Sequence, residues 1–164
     1  MKVEQIYTGC LSQGAYFIES NGEAAVIDPL RDVSEYIKMA EASNSKIKYV
    51  FETHFHADFI SGHLTLARQT GAKIVYGPQA EPNFDALVAE DNQVFEIGDV
   101  TLTVIHTPGH TLESTSFLLK DENFMASYGF GLNNIFRNGI SREDAAIDPK
   151  TYHISITLLK LYII

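Results

Sequence analysis

The sequence predicts an α/β (α+β) fold, in which helices cover a face of a β-sheet. The first indication is a series of runs rich in Val, Ile, Tyr and Phe at residues 2–8, 14–19 and 23–27. Asn21-Gly22 separates two of these runs and is a strong hairpin signal, so the runs are expected to form antiparallel strands. The second indication is the strand–helix–strand alternation that follows, which is typical of a sheet with helices packed on it.

The middle of the chain supplies the predicted helices and the remaining strands. Apolar residues at helical spacing predict one helix from Val33 to Ala42 and another over residues 62–70, which ends at Gly71. Asp28 lies just before a proline, where a carboxylate more often caps a turn than serves a function, so a turn that ends the third strand is the favoured interpretation and a functional role is the alternative. The further strands are predicted at Ile47–Phe51, Lys73–Tyr76, Gln93–Ile97, Val100–Ile105 and Thr115–Lys120.

Composition narrows the classes of protein. The chain has 164 residues, 45% of them hydrophobic, which is enough for one domain with a core. Its formal net charge of -9 argues against a nucleic-acid partner, because phosphate binding needs clustered Lys and Arg. No run reaches the roughly 18 to 20 apolar residues that cross a bilayer, and the first residues do not resemble a signal peptide. We therefore expect a cytoplasmic protein with no membrane partner, and we expect its only cysteine, Cys10, to be a small buried side chain.

Residues 53–63, Thr-His-Phe-His-Ala-Asp-Phe-Ile-Ser-Gly-His, hold the densest group of potential metal ligands. They place His54, His56, Asp58 and His63 within eleven positions, directly after a predicted strand. Imidazole and carboxylate groups suit zinc or non-haem iron. Histidines two positions apart do not share a helical face, so the motif is expected on a loop at the carboxyl end of the strand. Ligands bind at such loops in open α/β sheets.

A second histidine motif, His106-Thr-Pro-Gly-His110-Thr, follows another predicted strand. Pro-Gly marks the end of that strand, so the motif offers an imidazole from a different strand end. We interpret His106 and His63 as structural residues with satisfied hydrogen bonds. Thr53 is a candidate for orienting the neighbouring imidazole.

The two motifs resemble those of a known family. His54-Phe-His56-Ala-Asp58 resembles the His-x-His-x-Asp-His signature of the metallo-β-lactamase superfamily, and residues 106–111 resemble its next motif. The amino-acid sequence of residues 53–63 is most similar to that of the persulfide dioxygenase branch, whose members are often fused to rhodanese domains. The resemblance covers residues 1–123 and implies an αββα sandwich whose N-terminal half is recognisable.

The resemblance also implies roles for individual residues. It implies that His54 and His110 are metal ligands. It also implies that His56 and Asp58 either contact and orient these ligands or bind a second metal. Phe59 stands where the signature has its last histidine, which weakens a second metal site and favours chemistry at one metal. Two histidines and a carboxylate with open positions are typical of non-haem Fe(II) oxygenases, so Fe(II) is the expected cofactor, with zinc as the alternative.

Three functions follow as alternatives. The first is a persulfide dioxygenase acting on a small thiol persulfide such as glutathione persulfide. The second is a zinc-dependent thioester hydrolase of the glyoxalase II type. The third is a non-catalytic, truncated remnant. It is supported by the apolar carboxyl end and by the lack, in residues 124–164, of a counterpart of the aspartate that the superfamily carries in Thr-Gly-Asp-Thr; residues 124–138 also show no persistent periodicity. We therefore expect a partial domain over residues 1–123 and an atypical tail over 124–164, whose β-prone end, Leu158–Ile164, predicts self-association.

Overall fold

The computed structural model describes residues 1–9, 11 and 13–121, together with the backbone of two strands at 126–130 and 152–153. The expectation for Cys10 lies outside the described residues. So do the expectations for the rest of the segment from 124 to 164, including the apolar run at its end.

The described chain forms two β-sheets and two helices. In the first sheet, neighbouring strands follow chain order: β1 (Lys2–Thr8), β2 (Gln13–Ser20), β3 (Glu23–Ile27), β4 (Lys46–Phe51), β5 (Lys73–Tyr76) and β6 (Leu87–Val88). The second sheet runs in the reverse order, from β11 (Tyr152–His153) through β10 (Ala126–Phe130), β9 (Thr115–Asp121) and β8 (Val100–His106) to β7 (Val94–Ile97). The helices are α1 (Ser34–Ala42) and α2 (His63–Thr70).

The opening strands confirm the predicted antiparallel meander. β1 pairs with β2, and β2 pairs with β3, both antiparallel. The two turn residues between β2 and β3, Asn21 and Gly22, have φ values of 47° and 80°. Positive φ at both positions is what a type I′ hairpin turn requires, and Asn-Gly is a preferred pair for that turn, so the pair favours this connection.

The two sheets pack face to face, and the helices cover the outer face of the first sheet. Phe51 of β4 lies in the core between the sheets, with its ring centroid 5.1 Å from that of Phe117 in β9. On the opposite face, Tyr36 of α1 and Leu66 of α2 pack against the first sheet. The described layers are therefore helix, sheet and sheet, which is the part of the αββα sandwich that the sequence predicts.

Strand pairing brings distant segments to one edge of the molecule. β3 and β4 are parallel, and their last residues, Ile27 and Phe51, are register partners. The residues that follow them, Asp28 and Glu52, are therefore neighbours. The Thr115 backbone N–H donates to the Thr53 carbonyl oxygen at 2.8 Å, which ties the second sheet to the same edge.

Two features differ from the sequence prediction. β6 was not predicted, because two exposed residues at Leu87–Val88 are too few to show an alternation. β10 falls in the stretch where no periodicity persists, yet its backbone pairs antiparallel with β9. Main-chain pairing of this kind does not depend on side-chain alternation. In the described part of the chain, no helix is long and apolar enough to cross a membrane.

Candidate metal centre

Three imidazole rings meet at the edge where the two sheets adjoin. The ring centroids of His54 and His56 lie 4.1 Å apart, and those of His54 and His110 lie 4.8 Å apart. His54 and His56 belong to the loop after β4, whereas His110 belongs to the loop between β8 and β9. The structure thus brings the two predicted ligands together and adds His56; we call these three rings the histidine centre.

His54 is the buried member of the centre. Its residue is 3% exposed, whereas His110 is exposed. Burial, with a further contribution from the nearby His56, lowers the pKa of His54 to about 4. A metal binds only the neutral form of imidazole. His54 is therefore neutral at physiological pH and does not have to release a proton before it binds a cation.

Asp28 contacts His56 directly and His54 through the Thr53 hydroxyl. Its Oδ1 accepts a hydrogen bond from the Thr53 backbone N–H, and its Oδ2 accepts one from the Thr53 hydroxyl, both at 2.8 Å. The Thr53 hydroxyl oxygen also lies 3.0 Å from Nδ1 of His54. Asp28 Oδ1 lies 3.0 Å from Nε2 of His56. The Asp28 carboxylate therefore contacts the metal motif directly and through one hydroxyl, which favours the functional interpretation of this residue over a turn role alone.

The electrostatics of this contact favour an ion pair in the metal-free protein. Burial alone opposes a charge on His56, but the charge and contact of Asp28 outweigh it and raise the His56 pKa. Burial likewise opposes ionisation of Asp28, yet His56 and the hydrogen bonds from Thr53 outweigh it and lower the pKa of this carboxyl. Both shifts stabilise an Asp28 carboxylate beside a protonated His56.

Glu52 completes an acidic cluster with Asp28 and His56, in which one donor atom from each residue lies within 4.8 Å of the others. Glu52 Oε2 is 3.4 Å from His56 Nε2, and Oε1 accepts a hydrogen bond from the Ser61 hydroxyl at 2.6 Å. Burial and the neighbouring Asp28 raise the pKa of Glu52 well above its ordinary value. Sequence reasoning missed Glu52, although an acidic residue directly after an apolar strand was a signal for it.

Among the other predicted residues, His63 and Asp58 lie outside the histidine centre. Asp58 is exposed, and its charge contributes to the raised pKa of His56. His63 begins α2, but within the described residues neither of its ring nitrogens has a hydrogen-bond partner. Its ring packs against Phe84, at 5.1 Å between centroids, and Nδ1 is 3.6 Å from Glu52. The expectation of a satisfied structural histidine is therefore wrong for His63.

His106 behaves as predicted. Its Nε2–H donates to the Leu112 carbonyl oxygen at 2.8 Å, which closes the loop that carries His110. Glu113 in the same loop accepts a hydrogen bond from the Phe55 backbone N–H at 3.1 Å, and its charge acts on His54. This loop therefore presents both an imidazole and a carboxylate to the first histidine motif.

Phe59 occupies the position where the superfamily signature has its last histidine. Its ring lies against His56, with 4.3 Å between centroids and the planes 39° apart. At this position an aromatic hydrocarbon ring therefore packs against the centre in place of the imidazole of the signature.

The three imidazoles of the histidine centre are ligand types that suit a single divalent metal ion. In the described residues, the donor atoms that all lie within 4.8 Å of one another are those of Asp28, Glu52 and His56, so His56 belongs to both groups. Three imidazoles are a known ligand set for catalytic zinc, which keeps a fourth position for water or substrate. The neutral state of buried His54 and the arrival of His110 from a separate loop are both consistent with such a site. The structure thus places ligand types that suit a metal ion at the edge where the two sheets adjoin.

Comparison with known proteins identifies the family. Residues 8–127 match the model of the metallo-β-lactamase superfamily, and the chain belongs to that superfamily. A hydroxyacylglutathione hydrolase of Erythrobacter litoralis (strain HTCC2594) is 31% identical over 156 residues, which cover 92% of this chain and 59% of that protein. The chain therefore spans about three fifths of this relative's length.

Two crystal structures are similar in both fold and sequence. A metallo-β-lactamase from Staphylococcus aureus subsp. aureus COL is 39% identical with a TM-score of 0.69, and the match covers 75% of this chain and 39% of that one. ETHE1 from Myxococcus xanthus is 26% identical, also with a TM-score of 0.69, and the match covers 78% of this chain and 56% of that one. These matches confirm the predicted fold class.

Proposed function

We propose that this chain carries the metal-binding part of a zinc-dependent hydrolase that acts on glutathione thioesters. The observation that carries the proposal is the convergence of His54, His56 and His110 from two sheets, with His54 held neutral. A bound zinc ion supplies Lewis acidity, which polarises a thioester carbonyl and lowers the pKa of a water.

The residues of the chain contribute position and charge. His54 and His110 provide imidazole nitrogens from separate loops, and Asp28 holds the His56 ring by its Nε2. Glu113 keeps a carboxylate beside the motif, because its pKa is lowered: burial opposes ionisation, but the Phe55 N–H and other hydrogen bonds outweigh it. A carboxylate in this position adds negative charge near the metal and so favours retention of a divalent cation.

The substrate class is supported by relatives. Besides the Erythrobacter protein, a hydroxyacylglutathione hydrolase of Acidiphilium cryptum (strain JF-5) is 33% identical over 150 residues, which cover 84% of this chain and 60% of that protein. A hydroxyacyl thioester of glutathione is therefore the first substrate to test. The expected cytoplasmic location of the protein and the expected lack of a nucleic-acid partner remain predictions.

A second candidate is an iron-dependent persulfide dioxygenase that acts on glutathione persulfide. Phe59 favours it, because a hydrocarbon ring against His56 in place of an imidazole disfavours a second metal. Two histidines with one carboxylate form the iron site of many oxygenases, and Glu113, like Asp28, is a carboxylate whose charge acts on His54. The similarity to ETHE1 from Myxococcus xanthus is compatible with this alternative.

One experiment separates the two candidates. The full chain is stripped of metal and reloaded with Zn²⁺, or with Fe²⁺ without oxygen. Each form is assayed for loss of the thioester bond of S-lactoylglutathione and for oxygen uptake with glutathione persulfide. Thioester hydrolysis by the zinc form, abolished in His54→Ala, is the expected result. Oxygen uptake by the iron form alone would overturn the hydrolase in favour of the dioxygenase, and inactivity of both forms would favour a non-catalytic chain.

A further inference from the structure

The Thr53 hydroxyl lies between a carboxylate and a metal-motif histidine, and it has a single proton to donate. Its oxygen is 2.8 Å from Asp28 Oδ2 and 3.0 Å from His54 Nδ1. All three residues are buried, with relative exposures of 4% for Thr53, 6% for Asp28 and 3% for His54. Water is therefore not a ready substitute for either partner.

The direction of each hydrogen bond follows from what the groups can do. The Asp28 carboxylate has acceptors only, and both of its oxygens lie 2.8 Å from a Thr53 donor: the backbone N–H donates to Oδ1 and the hydroxyl donates its proton to Oδ2. The same oxygen must then accept from His54, which requires the hydrogen of the neutral ring to be on Nδ1. Neutral imidazole has one N–H and one lone pair, so Nε2 of His54 keeps the lone pair.

We propose that Thr53, anchored by Asp28, is a positioning residue that commits His54 to the tautomer with a free lone pair on Nε2 and so prepares it to bind the metal. The proposal rests on the metal centre of the proposed function but not on its substrate or reaction. Without Thr53 and Asp28, the His54 ring would populate both neutral tautomers. Only one of them presents the lone pair of Nε2 to the cation.

The carboxylate of Asp28 fixes the His54 tautomer, as the expected effect of the substitution Asp28→Asn illustrates. In Asp28→Asn, the Thr53 backbone N–H can only donate, so it retains the amide oxygen as its acceptor. The amide NH₂ then faces the Thr53 hydroxyl and donates to it. The hydroxyl proton is turned toward His54 Nδ1, which must accept, so the hydrogen of the ring moves to Nε2. An Asp→Asn change behind a catalytic histidine has the same consequence in serine proteases.

Two changes at residue 53 provide a matched pair. Thr53→Ser keeps the hydroxyl and removes one methyl group, so it is expected to keep the wild-type tautomer. Thr53→Val keeps the shape of the side chain and removes the hydroxyl, so it is expected to leave His54 without a fixed tautomer. Comparing the two separates the role of the hydroxyl from that of packing.

The test reads the tautomer directly in the full-length, metal-free chain. Long-range ¹H–¹⁵N correlation spectra at pH 7 distinguish a protonated from an unprotonated ring nitrogen, and the His54 signals are assigned by their loss in His54→Ala. Wild type and Thr53→Ser are expected to show the hydrogen on Nδ1, Asp28→Asn to show it on Nε2, and Thr53→Val to show averaged signals. A wild-type ring with its hydrogen on Nε2 would overturn the proposal.

A zinc titration against a chromophoric chelator supplies the second readout. Loss of such a partner behind a ligand typically weakens metal binding about 10- to 100-fold, so we expect this loss for Thr53→Val and Asp28→Asn but not for Thr53→Ser. Unchanged zinc affinity in Thr53→Val would also overturn the proposal. If wild type shows the predicted tautomer and affinity yet hydrolyses no thioester, the proposed function fails while the positioning role of Thr53 stands.

Discussion

The rings of His54 and His110 reach each other from different sheets, with 4.8 Å between their centroids. Neither loop alone supplies enough ligands for a stable site. We therefore expect His54→Ala and His110→Ala each to abolish stoichiometric metal binding, as measured by elemental analysis after dialysis against a small excess of Zn²⁺. His106→Gln keeps a side-chain N–H that can donate to the Leu112 carbonyl oxygen, so it is the control and should retain most of the metal. Equal retention in all three variants would show that the centre lies elsewhere.

Glu52 gives a prediction about pH. Burial and the charge of Asp28 raise the pKa of Glu52 in the folded protein. Above about pH 4.5, Glu52 is therefore ionised in the unfolded chain but still protonated in the folded protein. The unfolded state thus binds fewer protons, and the contribution of Glu52 to stability falls as the pH rises from 4.5 toward the folded pKa. Glu52→Gln imitates the protonated acid and removes this loss. Its unfolding free energy relative to wild type should rise by up to about 1.4 kcal/mol per pH unit in that window.

The control for that measurement is Glu113→Gln, which makes the same chemical change at a carboxyl with a lowered pKa. The contribution of Glu113 is present above pH 4.5 and is lost only as the pH falls below that value. The Gln variant should therefore be less stable than wild type by a constant amount above pH 4.5. Denaturant unfolding of metal-free protein between pH 5 and 8 measures both differences, and parallel pH profiles for the two variants would contradict the assignment at Glu52.

Local sequence patterns were enough to predict most of the fold. The hairpin at Asn21-Gly22 follows from a turn that needs two positive φ values, and α1 follows from apolar residues at helical spacing. His54 and His110 were identified because each lies in a short motif at a strand end and because the two motifs resemble those of the metallo-β-lactamase superfamily. Such signals are contained within a few neighbouring residues, so they can be detected without knowing which strands pair.

The acidic side of the site could not be predicted in this way. Asp28 and Glu52 become neighbours only because β3 and β4 pair in parallel with Ile27 opposite Phe51. A register of that kind is set by packing across the whole sheet. The burial of His63 beside Glu52 depends on the same pairing and on Phe84, which the chain brings in from a later loop.

Gly62 gives the last prediction, because the start of α2 crosses closely over the turn that follows Asp28. The Gly62 backbone N–H donates to the Pro29 carbonyl oxygen at 2.9 Å, and a Cβ added at Gly62 would lie 2.2 Å from the Leu30 carbonyl oxygen. This clash is with backbone, so Gly62→Ala should cost about 3 kcal/mol of stability, and it should weaken zinc binding because the turn that carries Asp28 must move. Gly71→Ala, at the other end of α2, has φ of +76° with open space around it and should cost only about 1 kcal/mol, with unchanged zinc binding. Thermal unfolding and zinc titration of both variants check this, and equal losses of stability would show that the contact at Gly62 yields easily.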